Sequence, residues 1–96
     1  MFLLVTYDID TRDKAGTGRL HRVAKACERI GKRVQSSVFE MILDPRELDE
    51  FKHTISMLID HEHDSVRFYR LGHKAEERVT TLGNTDPPHP LGLMTV

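Results

Sequence analysis

The chain has 96 residues, a formal charge of −1, 39% hydrophobic residues and a single cysteine, which suits one domain with a modest core and leaves no room for a separate substrate domain. No stretch approaches the roughly 20 consecutive apolar residues of a bilayer span. The N-terminus has neither a basic region nor a small-residue cleavage site, and Cys27 has no second cysteine to pair with, so the expectation is a cytoplasmic protein with no membrane association and no redox role.

Phe2 to Tyr7 is apolar enough for a first strand, with Leu3, Val5 and Tyr7 on one face and Phe2 and Leu4 on the other, because side chains alternate along a strand. The run closes on Asp8, a carboxylate at a sheet end, where a metal ion or a phosphate can be met. Asp10 to Gly18 is polar and contains glycine, which predicts a loop. Leu20, Val23, Ala24, Cys27 and Ile30 then keep the spacing of one helical face, with Gly31 as the C-terminal stop and Cys27 as a buried structural thiol. Arg22, Lys25 and Arg29 cluster on the opposite face.

From Arg33 to Leu43 the β-branched and aromatic content predicts two short strands, with Ser36-Ser37 as a kink and Glu40-Met41 as the bend between them. Asp44-Pro45-Arg46-Glu47 reads as a helix start, with Asp44 as cap, Pro45 in the first position and Glu47 completing a capping box. Leu48, Phe51, Ile55, Leu58 and Ile59 form that helix's apolar stripe, ending near His61. Ser65 to Leu71 is the next strand. Val79 to Leu82 is a candidate fifth strand, reached through a polar linker, and the proline-rich stretch from Asn84 to Pro90 is expected to be irregular.

The order β-α-β-β-α-β predicts an α+β ferredoxin-like sandwich over residues 1–78, two helices on one face of an antiparallel sheet, followed by a C-terminal strand and proline-rich tail over 79–96. Two helices cover only one sheet face, and the first strand is apolar on both. A homodimer packed sheet to sheet is therefore expected, with residues 79–82 pairing across it.

Three blocks together resemble a known family: Tyr7-Asp8-Ile9 at the end of the first strand, Arg33-Val34-Gln35-x-Ser37-Val38-Phe39-Glu40, and Asp64-Ser65-Val66-Arg67-x-Tyr69-Arg70-Leu71. Over Met1 to about Leu71 the chain resembles the CRISPR-associated protein 2 family. The resemblance implies a homodimer of the CRISPR adaptation (spacer acquisition) machinery that binds double-stranded DNA and bridges dimers of the CRISPR-associated protein 1 integrase, which performs the insertion. Members are also described as Mg2+-dependent endonucleases on single-stranded RNA or double-stranded DNA, with the aspartate that matches Asp8 as metal ligand. The small Ser36 and the proline-rich tail depart from the family's commoner forms, and the tail bears on partner contacts.

Magnesium binds oxygen ligands through one or two carboxylates, the remainder being water and phosphate. One Asp8 per chain is a thin site, whereas two facing each other across a dimer axis can hold one ion. The alternative is that Asp8 or Asp10 only accepts backbone hydrogen bonds in the turn after the strand. No histidine, cysteine or lysine stands beside Asp8 as an evident general base. Tyr7 and Phe39 are expected in the core, Phe39 alternatively at the dimer interface or shaping the site.

Positions 11–33 hold eight basic residues against two acids, while six basic residues stand against thirteen acids elsewhere. Arg22, Lys25 and Arg29, with Arg12, Lys14 and Arg19 from the preceding loop and Arg33 after the helix, can track a phosphate backbone without reading sequence. The same charges also serve solubility on an exposed helix. Arg33, Arg67 and Arg70 on the strands suit phosphate or neighbouring carboxylates equally. Asp44 to Asp64, with seven acids and two bases, suits a basic protein partner rather than DNA. His61-Glu62-His63-Asp64 matches no specific ligand spacing and reads as a solvated helix end. Outside the family, the competing reading is a ferredoxin-like regulatory module that binds a small ligand and has no affinity for nucleic acid.

Overall fold

The computed structural model describes residues 1–72 and 74–83. Seven elements follow in order: β1 (Phe2–Asp8), α1 (Lys14–Glu28), β2 (Lys32–Gln35), β3 (Val38–Ile42), α2 (Pro45–Leu58), β4 (Ser65–Arg70) and a short 3-10 turn (Ala75–Arg78). The strands form one antiparallel sheet in the order β2-β3-β1-β4, so β1 is central and pairs with both β3 and β4. Both helices lie on one face. This is the expected ferredoxin-like α+β sandwich.

The core follows from strand alternation. Leu3, Val5 and Tyr7 of β1 and Phe39 and Met41 of β3 point toward the helices, where Val23, Ala26 and Cys27 of α1 and Leu48, Phe51 and Ile55 of α2 meet them. Leu3, Val5, Phe39 and Met41 have no measurable exposure, and each such side chain contributes roughly 1.5–3 kcal/mol relative to an exposed one. Phe68 of β4 meets Phe51 edge-on at 5.9 Å between ring centroids. Burial pushes the Cys27 thiol up to about 12, which agrees with a structural cysteine.

Among the described residues, no helix lies over the opposite face of the sheet. Cross-strand register places Leu4 between Glu40 and Tyr69, Thr6 between Val38 and Arg67, and Asp8 opposite Ser65. Val34, Ile42 and Tyr69 are 43%, 39% and 42% exposed, so this face carries apolar surface that the other described residues leave uncovered.

Helix α2 begins as the sequence dictates. The Asp44 side chain accepts from Glu47 N–H at 2.8 Å, and the Glu47 carboxylate accepts from Asp44 N–H at 2.9 Å. It ends at Leu58, with Ile59 in an extended cap, three residues short of His61. Two local expectations are corrected. The expected loop from Asp10 to Gly18 is half helix, because the Asp13 carboxylate caps α1 by accepting from Gly16 N–H at 2.8 Å, and both Gly16 and Gly18 lie within the helix. The expected bend at Glu40-Met41 is absent. Ser36-Ser37 makes the whole turn, and Val38–Ile42 runs as one strand because its five residues pair consecutively with β1. Residues 79–82 form no strand within the chain and follow the 3-10 turn rather than a plain linker. The proline-rich stretch lies outside the described residues.

Candidate functional site

The C-terminal end of β1 sends neighbouring side chains in opposite directions. Tyr7 goes inward, stacks on Phe39 at 6.1 Å, and donates its hydroxyl to Ser36 O at 3.2 Å. Burial raises its phenol above the ordinary range. Asp8 goes outward at the rim of the open face and is exposed. Its carboxylate makes no hydrogen bond or ion pair with any described residue.

The other carboxylates nearby are engaged. Asp10 accepts from Arg12 Nε at 2.9 Å, Arg12 Nη2 at 2.6 Å and Arg12 N–H at 3.0 Å, and this guanidinium and amide hold its carboxyl well below the usual range. Asp10 is thus the turn residue of the pair.

Asp64 is the only polar or charged residue buried among those described. Its oxygens accept from Asp10 N–H at 3.0 Å, Asp60 N–H at 2.8 Å and Arg19 Nε at 2.8 Å. Burial pushes its carboxyl up, and the Arg19 guanidinium with the two amides outweighs that, so the net shift is downward. The sequence places Asp64 in a family-like block and also in a helix end expected to be solvated; the second expectation is corrected for Asp64, whose burial follows from its bonds to Arg19 and two backbone amides. The available signal was an acid immediately before a strand, at the end of a segment otherwise taken as solvated.

The seven basic candidates divide in two. Arg12 and Arg19 are tied to Asp10 and Asp64. Arg33 pairs with Glu28 at 3.2 Å and lies over the Phe39 ring at 5.1 Å, so it joins the Tyr7–Phe39 stack. Lys14, Arg22, Lys25 and Arg29 are exposed and have no side-chain partner among the described residues. Three of these four lie on the polar face of α1, a stripe of unpaired positive charge.

Asp60, Glu62 and His63 also come together, with one ligand atom each within 4.8 Å of the others. Asp60 accepts from Glu62 N–H at 2.9 Å and meets His63 Nδ1 at 3.1 Å; that contact lowers the Asp60 carboxyl and raises the His63 imidazole. His61 Nε2 meets Ser56 O at 2.8 Å near the end of α2. Asp60 is partly exposed, Glu62 and His63 are exposed, and the three hold one another together in the turn after α2.

No helix among the described residues is long and apolar enough to cross a membrane. Residues 1–79 match the family model described as CRISPR associated protein Cas2. The CRISPR-associated endonuclease Cas2 of Halalkalibacterium halodurans is 48% identical over 83 residues, 86% of each chain. The CRISPR-associated endoribonuclease Cas2 of Nitratidesulfovibrio vulgaris is 42% identical over 94 residues, covering 95% of this chain and 92% of that one. Among solved structures, Streptococcus pyogenes Cas2 at pH 6.5 superposes with a TM-score of 0.76 at 49% identity, covering 86% of this chain and 100% of that chain. The β-α-β-β-α-β sandwich, the 79 matched residues and the identities to relatives covered over most of their length agree, and the chain belongs to the CRISPR-associated Cas2 family.

Proposed function

We propose that the chain works as a two-fold dimer on nucleic acid in CRISPR spacer acquisition. It lays duplex DNA along α1, bridges an integrase of the CRISPR-associated protein 1 type, and has metal-dependent phosphodiesterase activity at paired Asp8 carboxylates. The carrying observation is that the Asp8 carboxylate has no partner among the described residues while those of Asp10 and Asp64 are engaged. A carboxylate serving only the turn would be occupied, and here Asp10 has that part.

Two free carboxylate oxygens per chain suit a hard cation such as Mg2+, and the partner's equivalent would complete the protein share of the donor set. When bound, the ion supplies charge neutralisation at the phosphodiester and an acidified water. The chain's own residues do the rest. Asp8 holds the ion at the rim of the open face, and the unpaired Lys14, Arg22, Lys25 and Arg29 hold phosphates without reading sequence. The apolar open face supports sheet-to-sheet dimerisation, with residues 79–82 adding to the partner's sheet edge. The acidic second helix supports docking of a basic protein surface. The names of the relatives, endonuclease and endoribonuclease, support phosphodiester hydrolysis.

The test is cleavage of labelled single-stranded RNA and duplex DNA by the purified protein, with and without Mg2+, beside Asp8→Ala. The expected result is magnesium-dependent cutting lost in Asp8→Ala, with salt-sensitive duplex binding retained by both proteins. Cutting that survives in Asp8→Ala refutes the assignment of the metal to Asp8. No cutting by either protein, with duplex binding intact, leaves the architectural role alone.

A further inference from the structure

Only Ile9 separates Asp8 from Asp10, and the backbone of Asp10 is held on both sides of its Cα, once in each of its two peptide groups. Its N–H donates to Asp64 Oδ1 at 3.0 Å, and its carbonyl accepts from Arg19 Nη2 at 3.3 Å. The backbone of α1 presses on the same segment at Gly16, where a Cβ would lie 2.9 Å from the Asp10 carbonyl carbon and 3.0 Å from Thr11 Cα. Asp64 itself has a fully buried side chain, Arg19 is 15% exposed, and no buried side-chain polar atom lacks a partner among the described residues. Asp64 also precedes Ser65, the residue that faces Asp8 across the β1–β4 ladder. One carboxylate therefore ties together the end of β1, the start of β4, the turn after α2 and the first turns of α1.

Stability alone is a weak reason for such a pair. Taking two charges out of water costs about what their attraction returns, and well-packed apolar residues often replace a buried ion pair without loss. What apolar residues cannot do is fix backbone polar groups in direction, whereas here one hydrogen bond holds the Ile9–Asp10 peptide and another the Asp10–Thr11 peptide.

We propose that Asp64 and Arg19 are positioning residues for Asp8, setting the direction in which its carboxylate leaves the sheet rim and so its competence to hold a cation. This rests on the reading of Asp8 as the metal-holding group.

The experiment compares full-length wild type, Asp64→Asn, Arg19→Lys and Asp8→Ala, each below its own melting temperature. Three quantities are read: amide exchange at Asp10, Mn2+ affinity by electron paramagnetic resonance with the metal alone as probe, and cleavage rate against Mg2+ concentration. Asp64→Asn turns one acceptor oxygen into an NH2 that faces the Arg19 and Asp60 donors, and Arg19→Lys gives up the fork between Asp64 and the Asp10 carbonyl; both are expected to loosen the Asp10 segment, speeding amide exchange there, and to weaken Mn2+ binding and cleavage by about 10- to 100-fold. Excess Mg2+ should restore part of the cleavage in Arg19→Lys, a rescue that a merely structural role would not show. If Asp64→Asn does not fold, Arg19→Lys carries the comparison. Loss of Asp10 protection with Mn2+ affinity and cleavage unchanged overturns the proposal while leaving Asp8 as the ligand. Unchanged Mn2+ affinity in Asp8→Ala overturns the metal reading, and the positioning role with it.

Discussion

Replacing Gly16 by alanine sets two physical effects of opposite sign against each other. In an isolated helix Ala is better than Gly by about 1 kcal/mol, so local propensity predicts stabilisation. In the folded chain the new methyl would overlap the Asp10 carbonyl oxygen and approach the Asp10 carbonyl carbon at 2.9 Å and Thr11 Cα at 3.0 Å. All three are backbone atoms, held by Asp64 and Arg19, and none can swing aside as a side-chain tip would. Comfortable carbon–oxygen contacts start at about 3.3 Å, so the segment must move or α1 must lift. Overpacking of this kind costs about 1–3 kcal/mol, and its upper end applies because backbone gives way last. Net destabilisation should be about 2 kcal/mol, a fall in melting temperature of roughly 8–16 °C for a domain this size. Gly18 is the control. A Cβ there meets only the Arg22 guanidinium at 3.3 Å, a flexible tip, so Gly18→Ala should stabilise by about 0.5–1 kcal/mol. Thermal and urea melts of both variants decide the matter. A Gly16→Ala protein as stable as wild type would refute the claim that tertiary contact, not turn propensity, requires this glycine.

Leu4→Arg places a charge at the centre of the open face, between Glu40 and Tyr69, and should leave the fold intact while converting dimer to monomer by light scattering; an unchanged mass would show that this face is not the interface. Replacing Arg22 and Lys25 by glutamine should weaken duplex binding and flatten its dependence on salt. If both residues of each copy contact phosphates, the log–log slope falls by about 3.5, and an unchanged slope would place the DNA elsewhere. Acid sensitivity follows from Asp64, whose carboxyl lies below its ordinary 3.8 in the folded chain. A depressed carboxyl stabilises the fold above the unfolded value and loses that contribution as pH falls through the folded one. Melting temperature should thus drop below about pH 4, and Asp64→Asn should make that drop shallower; an equal drop in both proteins would assign it to other groups.

Features that a few neighbouring residues decide were legible along the chain. Asp44, Pro45 and Glu47 start α2 within four positions, the alternation in β1 fixes its inner row of Leu3, Val5 and Tyr7, and the spacing around Val23 and Cys27 gives α1 its buried side. The order of these elements was enough for the fold, and three short blocks were enough for the family. The position of Asp8 was legible too, at the exposed end of the first strand, because a carboxylate closing an apolar strand is visible in one dimension. Other features were settled only when distant segments met. Gly16 and Gly18 looked like loop residues because glycine is the ordinary mark of a loop, and the reason for Gly16 lies in its contact with the Asp10 backbone. Arg12 and Arg19 read as free cations until their carboxylates were placed beside them. Asp64 was the least legible, since Arg19 and Asp10 stand 45 and 54 positions away and local pattern carries no record of a hydrogen bond across that separation. Periodicity and capping act over a few residues, so they fix elements; desolvation and ion pairing depend on which elements are packed together, and only the tertiary structure decides which charges stay free to bind a partner.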